Sequence, residues 1–229
     1  MLISVLIPCF NEKKTIEEIV NRINDLKDLN LEIIIIDDNS NDGTKELLKD
    51  KIKDKVSKII FNNKNYGKGY CVKKGIQASN GDAILIQDAD LEYDPSDYPK
   101  LIKPIENGNA DVVYGSRFLG GEEKRVLYFW HSLGNKLLTI FSNMFTNLNL
   151  TDMEVGYKLF KSDILKDINL VENRFGIEPE VTAKISKKKI RIFEVGISYY
   201  GRKFEDGKKI TWRDGFSAIR CIIKYNLFD

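Results

Sequence analysis

The sequence predicts an α/β protein built on a mostly parallel central sheet with helices on both faces. Three observations carry that expectation. Short apolar runs rich in Ile, Val and Leu recur along the first half, as expected of strands buried on both faces. Between them lie segments whose apolar residues stand three and four apart with charges interspersed, the spacing of covering helices. Four of the apolar runs end in polar or acidic groups, and ligands of open α/β sheets sit outside the carboxyl ends of the strands.

The elements follow in order. Residues 3–7 form a compact strand stopped by Pro8, and 15–29 place Ile16, Ile19, Ile23 and Leu26 on one helical face. A second strand, 32–36, runs into Asp37-Asp38, and a helix begins at 44–48. The third strand is 58–61, followed by a glycine-containing loop and a helix over 68–78. The fourth, 83–87, leads directly into Asp88-Ala89-Asp90, and 110–114 is strand-like again. Residues 126–145 predict one or two amphipathic helices, which read equally as a core-packing helix pair or as an interfacial helix whose Lys136, with the nearby Lys124 and Arg125, could meet anionic headgroups. Helical character returns at 178–184, a strand at 191–198, a basic segment at 201–209 and an amphipathic stretch at 212–225. The Lys187-Lys188-Lys189 run reads as a solvated turn.

At 229 residues with 42% hydrophobic content, the chain is expected to form one domain with a proper core. We divide it into two halves, 1–120 and 121–229. A formal charge of +2 gives no footprint for nucleic-acid binding. Cys9, Cys71 and Cys221 are far apart and read as buried thiols in a reducing compartment. The apolar start lacks a basic n-region and reads as a strand, not a signal peptide. No uninterrupted apolar stretch reaches the roughly 18 residues of a membrane span. The expected location is cytoplasmic, peripheral on the cytoplasmic membrane face.

Asp88 and Asp90 dominate the candidate chemistry. In extended backbone, residues i and i+2 project from one face, so their carboxylates converge. Glu92 joins them if the chain stays extended. Such a cluster calls for positive charge, and Mg²⁺ or Mn²⁺ takes one or two carboxylates with water and phosphate oxygens completing its shell. Asn65-Tyr66-Gly67-Lys68-Gly69 opens a helix, where free N–H groups attract anions. It has neither Walker nor dinucleotide spacing, so a plain turn and cap reads equally well. The basic set Arg117, Lys158, Arg202, Lys203, Lys208 and Lys209 suits phosphate oxygens, although the residues alone slightly favour a solvated loop for its C-terminal members.

Taken together, Pro8-Cys9-Phe10-Asn11-Glu12, Ile36-Asp37-Asp38-Asn39-Ser40-Asn41-Asp42-Gly43-Thr44, Asn65 to Gly69 and Asp88-Ala89-Asp90 resemble the family 2 glycosyltransferases of the GT-A fold. Asp90 to Pro95, Gly115-Ser116-Arg117-Phe118 and Asp152 to Lys158 look like the dolichyl/polyprenyl-phosphate sugar synthase branch. The match covers nearly the whole chain and is looser beyond Lys158. Cys71 stands where that family usually has Ala, and Glu92 where several relatives have Gln.

The resemblance implies a nucleotide-diphospho-sugar donor. By similarity, Pro8, Phe10, Glu12, Ile36 and Asp38 border base and ribose, with Lys68 nearby. Asp88 and Ala89 sit beside ribose and diphosphate, and Asp90 with Glu92 holds the metal. Arg117, Lys158, Arg202 and Lys208 surround donor diphosphate and acceptor phosphate, while the segment near 122–147 forms interfacial helices on the bilayer. The implied reaction is inverting transfer of a hexose, from a GDP-mannose or UDP-glucose type donor, to a polyprenyl phosphate. Asp90, Arg117 and Asp152 are its catalytic candidates. An ionised phosphate acceptor needs no general base; a hydroxyl acceptor does, and Asp152 or Glu154 is then the candidate. A same-fold transferase acting on a glycolipid or cell-envelope hydroxyl and a non-catalytic nucleotide-sugar-binding module are the alternatives.

Overall fold

The computed structural model describes residues 1–120, 125, 126, 128–202 and 212–228. One seven-stranded sheet takes strands from both halves of the chain, in the order β3-β2-β1-β4-β6-β5-β7. Its centre is the parallel set β1 (Leu2–Cys9), β2 (Asn30–Asp37), β3 (Lys58–Phe61) and β4 (Ala83–Ile86). Val5, Leu6 and Ile7 of β1 are wholly buried, because that strand is paired on both edges and covered on both faces. Each such side chain contributes roughly 1.5–3 kcal/mol of burial.

Helix α1 (Ile16–Asn24) turns Ile16, Ile19, Val20 and Ile23 to the sheet. It is shorter than the sequence predicts, because the chain leaves the helix after Asn24 and closes with turns over 25–29. Helix α2 (Thr44–Leu47) follows β2, α3 (Lys68–Ala78) packs on β1 and β2, and α4 (Tyr98–Glu106) packs on β5 (Val112–Ser116). All three cysteines are free and buried.

One strand was not anticipated. β6 (Lys158–Lys161) inserts antiparallel between β4 and β5, pairing Lys158 with Ile86 and with Tyr114. Because it runs backwards, its first residue lies at the rim where its parallel neighbours end. β7 (Ile192–Gly196) closes the edge, parallel to β5. Helix α6 (Ser162–Lys166) follows β6, and α7 (Ile177–Ser186) packs against both α5 (Phe129–Thr146) and α8 (Trp212–Leu227).

Within the expected 126–145 segment one helix, α5, runs from Phe129 to Thr146 and is apolar on the outside. Its buried residues are Asn135, Thr139, Ser142 and Thr146. Trp130, Leu137, Ile140 and Met144 are 78%, 59%, 56% and 75% exposed. Its polar face is held by real partners: Thr139 Oγ1 accepts from Met153 N at 3.2 Å, and Asn135 reaches Asp152. Asn147 ends the helix in the left-handed region, a conformation Asn tolerates. α8 also leaves apolar side chains outside, with Phe216 68% and Leu227 59% exposed. No helix among the described residues is long and apolar enough to cross a membrane.

Candidate active site

The loops after β1, β2 and β4 meet at one rim. Asn11 N donates to Ser40 Oγ and Asn41 N to Asn11 Oδ1, both at 2.9 Å, stitching the first two loops together. Glu12 is buried beside Thr44, whose Oγ1 accepts from Glu12 N at 3.0 Å. Pro8 and Phe10 are half-buried at the rim, whereas the Ile36 side chain lies wholly in the core.

Asp38 is used inside the fold. Its carboxylate accepts from Asn62 Nδ2 at 2.8 Å, from Tyr66 N at 3.0 Å and from Gly67 N at 2.7 Å. It thereby pins the loop that leads into α3. The glycines of that loop serve packing and leave no open anion cradle. A Cβ on Gly67 would stand 2.5 Å from Asn173 O, and one on Gly69 2.4 Å from Glu172 O. The 172–174 segment therefore packs directly against both glycines, and Asn173 O accepts from Tyr70 N at 3.0 Å. It is held in turn by Glu180, whose carboxylate accepts from Val171 N and Glu172 N at 2.7 and 2.8 Å.

That packing delivers Lys68 to the rim. Its Nζ lies 2.8 Å from Asp88 Oδ1 and 3.0 Å from Glu178 Oε1. Burial opposes its charge, but the two carboxylates hold the ammonium above the ordinary lysine range. Asp88 is thus neutralised by Lys68, and it packs so tightly on Gly156 that a Cβ there would meet Asp88 Oδ2 at 2.3 Å. Ala89 is buried beside it.

Asp90 and Glu92 do not continue an extended alternation. Leu91 adopts φ +59°, a left-handed conformation unusual for such a side chain, and the chain reverses there. The Glu92 carboxylate is taken up by other partners: Tyr199 OH donates to its Oε2 at 3.0 Å and Arg202 N to its Oε1 at 2.7 Å. Arg202 spans the rim, with Nε donating to Asp90 O at 3.0 Å and Nη2 to Glu12 Oε2 at 2.7 Å. Burial, then the Asp88 and Glu92 carboxylates, push Asp90 up to about 7 against the pull of Arg202.

The donor set fits a hard cation. Asp90 offers oxygen donors whose charge is suppressed by burial and surrounding carboxylates, and a divalent ion would relieve that repulsion. No three His, Cys, Asp or Glu side chains among the described residues form a cage.

Arg117 and Asp152 are brought together beneath the rim. Arg117 Nε and Nη2 each lie 2.7 Å from an Asp152 oxygen, and Asn135 Nδ2 donates to Asp152 Oδ1 at 2.9 Å. Burial opposes its ionisation, yet Arg117 keeps Asp152 below the ordinary carboxylate value. Lys158 is buried, donates to Val155 O and sits 5.0 Å from the Tyr114 ring centroid. Burial, with Lys68 nearby, pulls it down. Lys203, Lys208 and Lys209 lie outside the described residues, as do 121–124 at the start of the expected interfacial segment.

Sequence reasoning missed Glu178, Asn135 and Tyr199. Glu178 stands one residue into α7 in a Glu-Pro-Glu helix start, a local signal for a terminus that says nothing of Lys68. Asn135 interrupts the apolar run of α5, and that interruption marks its inner face.

A mostly parallel sheet with an acidic, lysine-bridged rim of this kind is a glycosyltransferase scaffold of the GT-A type. The chain belongs to glycosyl transferase family 2, whose profile matches residues 4–168. It is 31% identical over 227 residues to a dolichol-phosphate mannosyltransferase of Pyrococcus furiosus, covering 98% of this chain and 63% of that protein. It is 27% identical over 200 residues to an undecaprenyl-phosphate 4-deoxy-4-formamido-L-arabinose transferase of Aeromonas hydrophila, covering 85% and 59%. The chain therefore spans about three-fifths of the length of these relatives. In fold it superposes on glucosyl-3-phosphoglycerate synthase of Mycobacterium tuberculosis, a complex with Mn²⁺, UDP and phosphoglyceric acid. The TM-score is 0.77 at 17% identity, with 99% of this chain and 79% of that one covered.

Proposed function

We propose that the protein transfers a hexose from a nucleotide-diphospho-sugar to a polyprenyl phosphate at a membrane surface, with inversion at the anomeric carbon. The observation that carries the acceptor choice is the closure of Asp152. Both of its oxygens are committed to Arg117 and one also to Asn135, so it is not free to take a proton from a hydroxyl. A phosphate acceptor is already ionised near neutral pH and needs no base. The relatives named for dolichol-phosphate and undecaprenyl-phosphate transfer support the same choice.

In this reading residues 1–120 bind the donor and 121–229 face the acceptor and membrane. Pro8, Phe10, Glu12 and Asp38 shape the base and ribose end, with Ile36 beneath it as core. Lys68, Asp88, Ala89 and Arg202 line the diphosphate, joined by Lys208. Arg117 and Lys158 supply fixed positive charge under the sugar and the acceptor phosphate. Such preorganised charge favours the departing diphosphate because it costs no reorganisation during the reaction. Asp90 would hold Mg²⁺ or Mn²⁺, joined by Glu92 once that carboxylate leaves Tyr199. A bound divalent ion would neutralise the growing charge on the leaving group. The inverted amphipathicity of α5 supports contact with lipid, since its apolar stripe has no protein cover among the described residues.

Transfer of labelled sugar from GDP- and UDP-sugars into an organic-extractable product tests this, with polyprenyl phosphate, Mg²⁺ or Mn²⁺, and a chelator control. A metal-dependent product labile to mild acid is expected and would name the donor. An acid-stable product would overturn the phosphate reading in favour of a hydroxyl acceptor. Nucleotide binding without any product would favour a binding module.

A further inference from the structure

Carboxyl groups crowd together beneath the rim. Asp88, Glu154 and Glu178 are gathered there with Lys68 and Lys158, three carboxyl groups against two ammonium groups. Two oxygens of this set are enclosed without a hydrogen-bond partner, Glu154 Oε1 and Glu178 Oε2. Glu178 is itself only 7% exposed. Enclosing two ionised oxygens without a partner is unfavourable. One proton shared between them would satisfy both.

The surroundings identify the residue that carries it. Glu178 already has its other oxygen on the Lys68 ammonium, 3.0 Å away. Glu154 is faced by Glu178 from α7, by Lys158 at the start of β6, by Arg117 after β5 and by Asp152 on its own loop. Arg117 is committed to Asp152 and Lys158 donates to Val155 O, so neither is hydrogen-bonded to Glu154. Burial, then Glu178, push the Glu154 carboxyl up to about 8.

We propose that Glu154 works as a neutral acid whose O–H donates to Glu178, whose other oxygen stays on Lys68 beside Asp88. Glu154 is then a positioning residue and not the general base that its place beside Asp152 suggests. It acts through Glu178 and Lys68 on the part of the rim assigned to the diphosphate. The kinetic half of the test rests on the transferase reading; the spectroscopic half does not.

Glu154→Gln keeps a donor toward Glu178 and removes the ionisable proton, whereas Glu154→Ala removes both. Infrared difference spectra of wild type against Glu154→Gln are expected to show a protonated-carboxyl stretch at pH 7. That band should disappear as pH rises through about 8. Glu154→Gln is expected to keep kcat close to wild type, while Glu154→Ala loses on the order of tenfold. Absence of the band at pH 7 overturns the proposal, as does a Glu154→Gln enzyme as impaired as Glu154→Ala while still folded by circular dichroism. If the wild type transfers no sugar, the functional reading fails and the infrared band alone decides the role of Glu154.

Discussion

Arg117 and Asp152 form a closed two-pronged ion pair, both prongs at 2.7 Å, in a setting where Asp152 has no solvent exposure. The pair ties the end of β5 to the loop before β6, and Asn135 links it to the inner face of α5. Removing one partner leaves the other charge buried and uncompensated. Asp152→Asn is therefore expected to lower stability by about 3–5 kcal/mol, read as a fall in the urea midpoint. Its folded value lies below the ordinary 3.8, so the pair's contribution is present above that pH and lost as pH falls through the lower folded value. Acid unfolding of wild type should show that loss, and of Asp152→Asn should not.

A second prediction concerns the glycines before α3. If they cradled phosphate, Gly67→Ala and Gly69→Ala would spare the fold and weaken nucleotide binding. With backbone oxygens 2.5 and 2.4 Å from the added Cβ atoms, the fold itself must shift. The expected loss is about 1–3 kcal/mol for each, and more for Gly67, whose φ of +103° disfavours any side chain. Denaturant titration without nucleotide checks this.

The contrast shows what a sequence displays and what it hides. The strands of β1, β2 and β4 were legible because burial on both faces leaves continuous runs such as Ile33-Ile34-Ile35-Ile36. The rim was legible because those runs stop at polar groups. The direction of Glu92 was not, since it depends on one left-handed residue, Leu91, of a type that rarely adopts that conformation. Nor was the Lys68–Glu178 bridge, because no local pattern ties two helix starts so far apart in the chain. Helical spacing marked α5 as amphipathic, yet which face turns inward depends on Asp152 and Met153, residues outside the helix.

Gly156→Ala offers a different kind of test, because the obstruction it creates is the Asp88 carboxylate at 2.3 Å and not backbone. Asp88 must move, and its 2.8 Å contact with Lys68 goes with it. The fold should survive, since a side chain yields more readily than a strand. Transfer should fall on the order of tenfold or more, equivalent to about 1.4 kcal/mol of transition-state stabilisation. A variant with wild-type kcat and KM would show that the Lys68–Asp88 contact has no part in the reaction.

The sharpest prediction concerns the two faces of α5, where a water-facing helix and a lipid-facing one give opposite results. On an ordinary surface helix, polar replacements outside are harmless and apolar replacements inside are tolerated. Here Leu137 and Met144 are exposed while Thr139 is 3% exposed and accepts from Met153 N. Leu137→Gln with Met144→Gln should leave thermal stability unchanged and reduce co-sedimentation with vesicles of mixed neutral and anionic lipid. Each lost apolar side chain is worth roughly 1–2 kcal/mol of membrane burial, about tenfold in partitioning. Thr139→Val should do the reverse, keeping vesicle binding while costing about 1–3 kcal/mol of stability for the stranded Met153 N–H. If the double variant binds vesicles as wild type does, the apolar stripe is not what holds this protein to lipid.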